Sequence, residues 1–186
     1  MTMLKNTQRN YGWIAIALHW IMALMVFGLF GLGLYMVELS YYDSWYRGSL
    51  DLHKSIGMTL LLLWLLRMGW RFFNVAPKTD THCRREYIEQ IAAHGMHITL
   101  YVLILGLCLT GYLISSADGR GIGVFEMFQV PALPWSINNQ EDIAGDIHEI
   151  LAWSLIVLVA VHALAALKHH FIDNDKTLMK MLKPSA

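Results

Sequence analysis

The stretch IAGDIHEILAWSLIVLVAVHALAALKHH, residues 143–170, decides the fold. Its centre, Ile150 to Leu167, runs 18 residues without an acidic or basic side chain. A helix needs roughly 20 predominantly apolar residues to cross about 30 Å of hydrocarbon, and the span is expected to extend upstream to Ile143, past Glu149 and Asp146. Two histidines, His148 and His162, stand inside this span. Ionisable side chains are costly at membrane depth, so each is a functional candidate by default. Fourteen positions separate them. At about 100° per residue they fall within about 40° of each other on one helix face, and the rise places them about 21 Å apart along the axis.

Three further spans precede this one. Asn10 to Val37 is a 28-residue stretch without charge. It is too long and too aromatic for a signal-peptide core and no small-x-small cleavage site follows it, so it is expected to be retained. The second span covers Asp51 to Phe73. Its uninterrupted apolar centre runs only from Ser55 to Leu66, with Arg67 and Arg71 near the end to snorkel toward the interface. Gln90 to Ala117 again has 28 residues free of charge. The composition agrees: 56% of the chain is hydrophobic, 15% is charged and the mean hydropathy is +0.43, whereas soluble domains carry about 25% charged residues. The expected fold is an all-α integral membrane four-helix bundle. One domain covers residues 1–186, with spans at about 11–37, 51–73, 88–116 and 143–170.

Charge sets the expected orientation. Eleven of the fourteen basic residues belong to the N-terminal tail, the second-to-third junction with Arg67, Arg71, Lys78, Arg84 and Arg85, and the C-terminal end. The positive-inside rule then puts both termini in the cytoplasm. The opposite face has only Arg47, Lys54 and Arg120 against nine acidic residues, a net −6, while the cytoplasmic face carries +6. The whole chain is neutral, which gives no argument for nucleic acid as a partner. The outer loop from about Asp118 to Gln140 contains Gly119, Gly121, Gly123, Pro131 and Pro134, which discourage a continuous helix. Its Val124, Phe125, Met127, Phe128 and Trp135 are expected along the membrane interface, as are Tyr11, Trp13, Tyr35, Tyr41, Tyr42, Trp45 and Tyr46.

Depth pairs the histidines. With this orientation His19 in the first span and His162 lie low, while His53 in the second span and His148 lie high. Each pair can clamp a flat macrocycle between helices, one imidazole on either side of the iron, so the four histidines suit two haems stacked across the bilayer. Bis-histidine iron has no open coordination position and favours electron transfer. Cys83 and Cys108 form no C-x-x-C-H motif, so the haem would be non-covalent. His94 and His97 in the third span compete with His19 as partners of His162. A single zinc site is the weaker reading, because the two levels are about 21 Å apart. Glycines at 28, 31, 33, 57, 106 and 111 could admit a ring or serve helix packing. His169 and His170, at the cytoplasmic end near Lys168, are candidate contacts for a quinone head group, and His82 is expected to be an ordinary loop residue.

Leu-His-Trp at 18–20, Asp-Leu-His-Lys at 51–54, Asp-Ile-His-Glu at 146–149, Val-His-Ala-Leu at 161–164 and Lys-His-His-Phe at 168–171 occur in one order and spacing over residues 10 to 180. The chain thereby resembles the prokaryotic cytochrome b561 family. The resemblance implies a bacterial inner-membrane di-haem b protein exchanging electrons with the quinone pool, with His19, His53, His148 and His162 as iron ligands. More weakly, the chain is similar to the cytochrome b subunits that anchor hydrogenases and dehydrogenases. Superoxide oxidation, an activity proposed within the family, is disfavoured by the net −6 outer face, although screening over about 8 Å limits the repulsion.

The expected function is relay of single electrons between an outer-face redox partner and quinone, an oxidoreductase-type role. Arg47 and Lys54 outside, and Arg67 and Arg71 inside, are candidate propionate contacts. Expected partners are membrane lipid, quinone, an outer-face donor or acceptor and a second copy of the chain as a homodimer. The reading from another class is a haem-free membrane scaffold whose histidines bind protons or join helices.

Overall fold

The computed structural model describes residues 3–77 and 84–184, with side chains from residue 87 onward in the third helix. Lys78, His82 and Cys83 lie outside the described residues, as do the side chains of Arg84 and Arg85. Four long helices dominate: α1 (Trp13–Val37), α2 (Tyr46–Phe73), α3 (Arg84–Ser115) and α4 (Gln140–Phe171). All four contain segments long and apolar enough to cross a membrane. In hydrocarbon the backbone must satisfy its own hydrogen bonds, and a helix does so within one segment. α2 starts five residues before the expected Asp51 and α4 three before the expected Ile143, so both extend past the apolar core at their N-terminal ends.

The apolar surface faces outward, as a lipid-solvated bundle requires. Leu24, Val102 and Leu164 are each more than 60% exposed. Only a narrow strip is buried: Met22 and Val26 of α1, Leu60 of α2 and Leu155 of α4 form the central cluster. Three of these stand seven positions after a histidine, Val26 after His19, Leu60 after His53 and Leu155 after His148, and Leu155 is also seven before His162. Seven residues make nearly two turns. The same helix faces that carry imidazoles near their ends therefore carry hydrocarbon at mid-depth.

Close helix packing runs α1 against α2, α2 against α3 and, most extensively, α3 against α4. α4 makes few close approaches to α1 or α2, so those interfaces are spread. At one end of the bundle the chain termini are tied in. Asn6 Nδ2 donates to Val75 O beyond α2 (3.1 Å), and Trp20 Nε1 donates to Met181 O (2.7 Å) just after the short helix α5 (Thr177–Lys180).

At the opposite end the α3–α4 loop folds as an antiparallel hairpin, β1 (Ile122–Val124) with β2 (Phe128–Val130). This corrects the expectation for Val124. With Ile122 it is buried, 4% exposed, on β1, which packs against α2, while Phe125, Met127, Phe128 and Trp135 are exposed. Strand alternation explains the split: Ile122 and Val124 share one face and Gly123 the other. The turn places Phe125 (φ 48°) and Glu126 (φ 59°) in the left-handed region, with Met127 N donating to Val124 O at 2.9 Å. Asn-Gly is the usual choice for such a turn. Here the buried Ser55 of α2 accepts the Phe125 N–H at 3.0 Å and pins the tip to the bundle.

Candidate metal centres

The four candidate histidines come together as two couples. His19 on α1 and His162 on α4 have ring centres 6.4 Å apart, and His53 on α2 and His148 on α4 have ring centres 6.3 Å apart. Both couples bridge the spread interfaces between α4 and its neighbours. Metal–imidazole bonds of about 2 Å, with about 1.1 Å more from nitrogen to ring centre, put two rings on opposite sides of one metal about 6.3 Å apart. Both couples match that span. His97 lies only 5.2 Å from His162, about 1 Å too near for a shared iron held from opposite sides.

His53 Nδ1 is buried without a hydrogen-bond partner, as is His170 Nδ1. A buried polar atom without a partner is costly. An iron held at Nε2 of His53 would leave its Nδ1–H as it is, so the fit to a cofactor rests on the ring spacing and the donor set. The donor set, two neutral nitrogens per site and no thiolate or carboxylate, suits a haem b iron whose other four ligands come from the macrocycle.

The shell around the couples includes residues whose roles the sequence did not signal. At the His19 level the Arg67 guanidinium donates from Nη2 to His19 Nδ1 (3.2 Å) and from Nε to the Tyr101 hydroxyl (3.0 Å). Arg71 lies over the same Tyr101 ring, 5.7 Å from its centre. At the His148 level, Thr110 of α3 reaches His148 Nδ1 at 2.9 Å. The advance sign of Tyr101 and Thr110 is slight: both are hydrogen-bonding side chains in a span free of Asp, Glu, Lys and Arg, as are Thr99 and Tyr112. The glycines divide: a Cβ at 28, 31 or 57 would meet open space, one at Gly106 would come 3.1 Å from Leu151 Cδ1, and one at Gly111 3.3 Å from His148 Cε1. The last two thus allow α3 and α4 to pack closely.

The charged candidates are distributed as follows. Arg47 donates to the Tyr41 hydroxyl at 3.1 Å and covers that ring. Arg120 is paired with Asp118, and those hydrogen bonds hold the Asp118 carboxyl below the ordinary carboxylate range, with a smaller pull from Lys54. At the other end Lys168 bridges Glu89 of α3 and Asp173 after α4, both at 2.8 Å, and His169 Nδ1 is 2.9 Å from Asp173. Glu89, His169 and Asp173 could hold a metal ion. The Lys168 ammonium already supplies a positive charge to both carboxylates. Among the described residues no hydrogen bond or ion pair joins His169 or His170 to Arg67 or Arg71.

The family model described as prokaryotic cytochrome b561 matches residues 10–184. Cytochrome b561 homolog 2 of Escherichia coli (strain K12) is 45% identical over 181 residues, 97% of this chain and 95% of that protein. Cytochrome b562 of Cereibacter sphaeroides is 29% identical and the probable superoxide oxidase CybB of Yersinia pestis 25% identical, each over 94% of this chain and 96% of the relative.

Proposed function

The chain belongs to the prokaryotic cytochrome b561 family, a membrane haem b protein by that membership, and from this premise we propose that it relays single electrons across the bacterial inner membrane through two haems. His19 and His162 hold the haem nearer the cytoplasm, and His53 and His148 hold the one nearer the outside. Both termini are cytoplasmic. The observation that carries this reading is the pair of ring separations, 6.4 and 6.3 Å, at opposite ends of α4.

When bound, each haem supplies one-electron chemistry at an iron with no open coordination position. The chain's own residues do the rest. α4 contributes one imidazole at each level and sets the vertical spacing at about 21 Å through its rise. Met22, Val26, Leu60 and Leu155 fill the depth between the levels with hydrocarbon and keep water out. Arg67 and Arg71 bring positive charge to the inner level, where propionates are to be neutralised, and Lys54 and Arg47 do so outside. His169 is the candidate to pass a proton to or from a quinone head group, and its 2.9 Å contact with Asp173, which would steady the ring, supports that reading. The acidic outer face favours a cationic or neutral redox partner over an anion such as superoxide.

The purified protein, reduced with dithionite, tests the reading. It should show the sharp α-band of low-spin haem b and two haems per chain. A folded, colourless preparation, or one haem per chain, would end it. Oxidation of the reduced haems by added ubiquinone or menaquinone analogues tests the quinone link.

A further inference from the structure

Thr110 belongs to α3, the helix that contributes none of the four coupled histidines, and is 9% exposed. Its Oγ1 lies 2.9 Å from Gly106 O, 3.2 Å from Leu107 O and 2.9 Å from His148 Nδ1. A threonine hydroxyl has one proton to donate and two lone pairs. Both carbonyls can only accept. The Leu107 carbonyl is also a hydrogen-bond partner of the His148 ring, which requires a proton on the ring nitrogen facing it. With Nδ1 protonated, the Thr110 hydroxyl proton goes to the α3 carbonyls and Oγ1 is an acceptor for Nδ1–H. A neutral imidazole protonated at Nδ1 carries its free lone pair at Nε2.

Gly111, the next residue, lacks the Cβ that would sit 3.3 Å from His148 Cε1. The ring thus lies against bare backbone on one side and is hydrogen-bonded by the adjacent residue. The arrangement at His19 is the reverse. There Arg67 is a donor only, so Nδ1 accepts, and the proton of a neutral ring sits on Nε2. Among the candidate ligands, His148 is the one hydrogen-bonded in the tautomer that presents Nε2 to a metal.

We propose that Thr110 is a positioning residue for the outer centre. It fixes the tautomer and ring angle of His148 and, by accepting from Nδ1–H, makes the imidazole a stronger donor to iron and keeps that centre's potential low. Partners of this kind orient metal-binding histidines and tune the metal. The inference rests on the proposed assignment of His148 as an iron ligand.

The test compares Thr110→Val, Thr110→Ser and Thr110→Ala in the full-length haem-loaded protein, by potentiometric titration and by the low-spin ferric electron paramagnetic resonance of each centre. Valine keeps the shape and removes the acceptor. The outer centre should become easier to reduce by up to about tenfold in equilibrium constant, which is 59 mV for one electron, and its resonance should shift. The inner centre should stay put, and serine should restore both signatures. Selective loss of the outer haem in the valine or alanine variant, with serine retaining it, supports the proposal equally. Unmoved signals, equal movement at both centres, or a serine variant as altered as the valine one would overturn it. His148→Ala separates the two claims. If that variant keeps both haems, the ligand assignment fails. If it loses the outer haem while Thr110→Val changes nothing, only the role of Thr110 fails.

Discussion

Arg67→Leu removes a cation beside one proposed iron ligand and leaves the other level untouched. In the structure Arg67 Nη2 is 3.2 Å from His19 Nδ1. A ligating imidazole carries its proton at Nδ1, so haem binding would swing Nη2 off that nitrogen by no more than a rotation about the Nε–H contact with the Tyr101 hydroxyl, 3.0 Å here, and leave the cation at a similar distance. A metal on Nε2 lies about 4 Å beyond Nδ1, so the cation sits roughly 7 Å from the iron. With an effective dielectric of about 20 this gives an interaction of about 2 kcal/mol per unit change of charge at the iron, equivalent to about 100 mV at roughly 2.3 kcal/mol per 100 mV. The sign follows from the charge. Reduction adds an electron, a nearby cation favours the reduced form, and its removal lowers the midpoint potential. Allowing for pairing of Arg67 with a propionate, the inner haem of Arg67→Leu should titrate about 50–100 mV lower, Arg67→Lys should stay closer to the parent, and Tyr101→Phe, which frees the guanidinium, should fall between. Potentiometric titration of the α-band reads this directly, with His19→Ala identifying the inner component. An inner potential that stays constant or rises in Arg67→Leu, or an outer potential that falls equally, would refute the reasoning.

Alanine at His19 or His162 should remove the inner haem, and alanine at His53 or His148 the outer one, seen as loss of one component of the reduced spectrum. His97→Ala should keep both, and bleaching of the inner component in that variant would exchange His97 for His19 as the partner of His162. Leu155→Ala should keep both haems yet cost about 2–5 kcal/mol of stability, because Leu155 is 3% exposed in the central cluster, and thermal unfolding in detergent measures it. Glu126→Gly should stabilise the hairpin by about 1 kcal/mol, since a non-glycine residue at φ 59° is strained, and slower proteolysis of the outer loop should report it. Lys168→Met should loosen the end of α4 from α3 with little change in overall stability, as a solvent-screened ion pair implies, and faster amide exchange after His169 would show it.

Four spans, the common face of His148 and His162 and the charge difference between the bundle ends could all be read from the chain, because each depends on local periodicity or composition. A helix repeats every 3.6 residues wherever it lies, so one segment suffices to put two of its own side chains on one face. What periodicity leaves open is how each helix is rotated and spaced relative to the others. Sequence pairs His19 with His162 by depth and leaves His97 as a competitor, and the ring separations, 6.4 Å for His19 and 5.2 Å for His97, favour His19. Thr110 and Tyr101 acquired roles only once α3 was laid along α4 and beside α2. The hairpin was hidden for a different reason. Phe125 and Glu126 are not residues that ask for a left-handed turn, and the bond holding them there comes from Ser55, 70 positions earlier in the chain. Local sequence determined what each rod is and which of its faces bears nitrogen. The contacts between rods determined which nitrogens stand opposite each other, since that is set by packing among distant segments that no single stretch encodes.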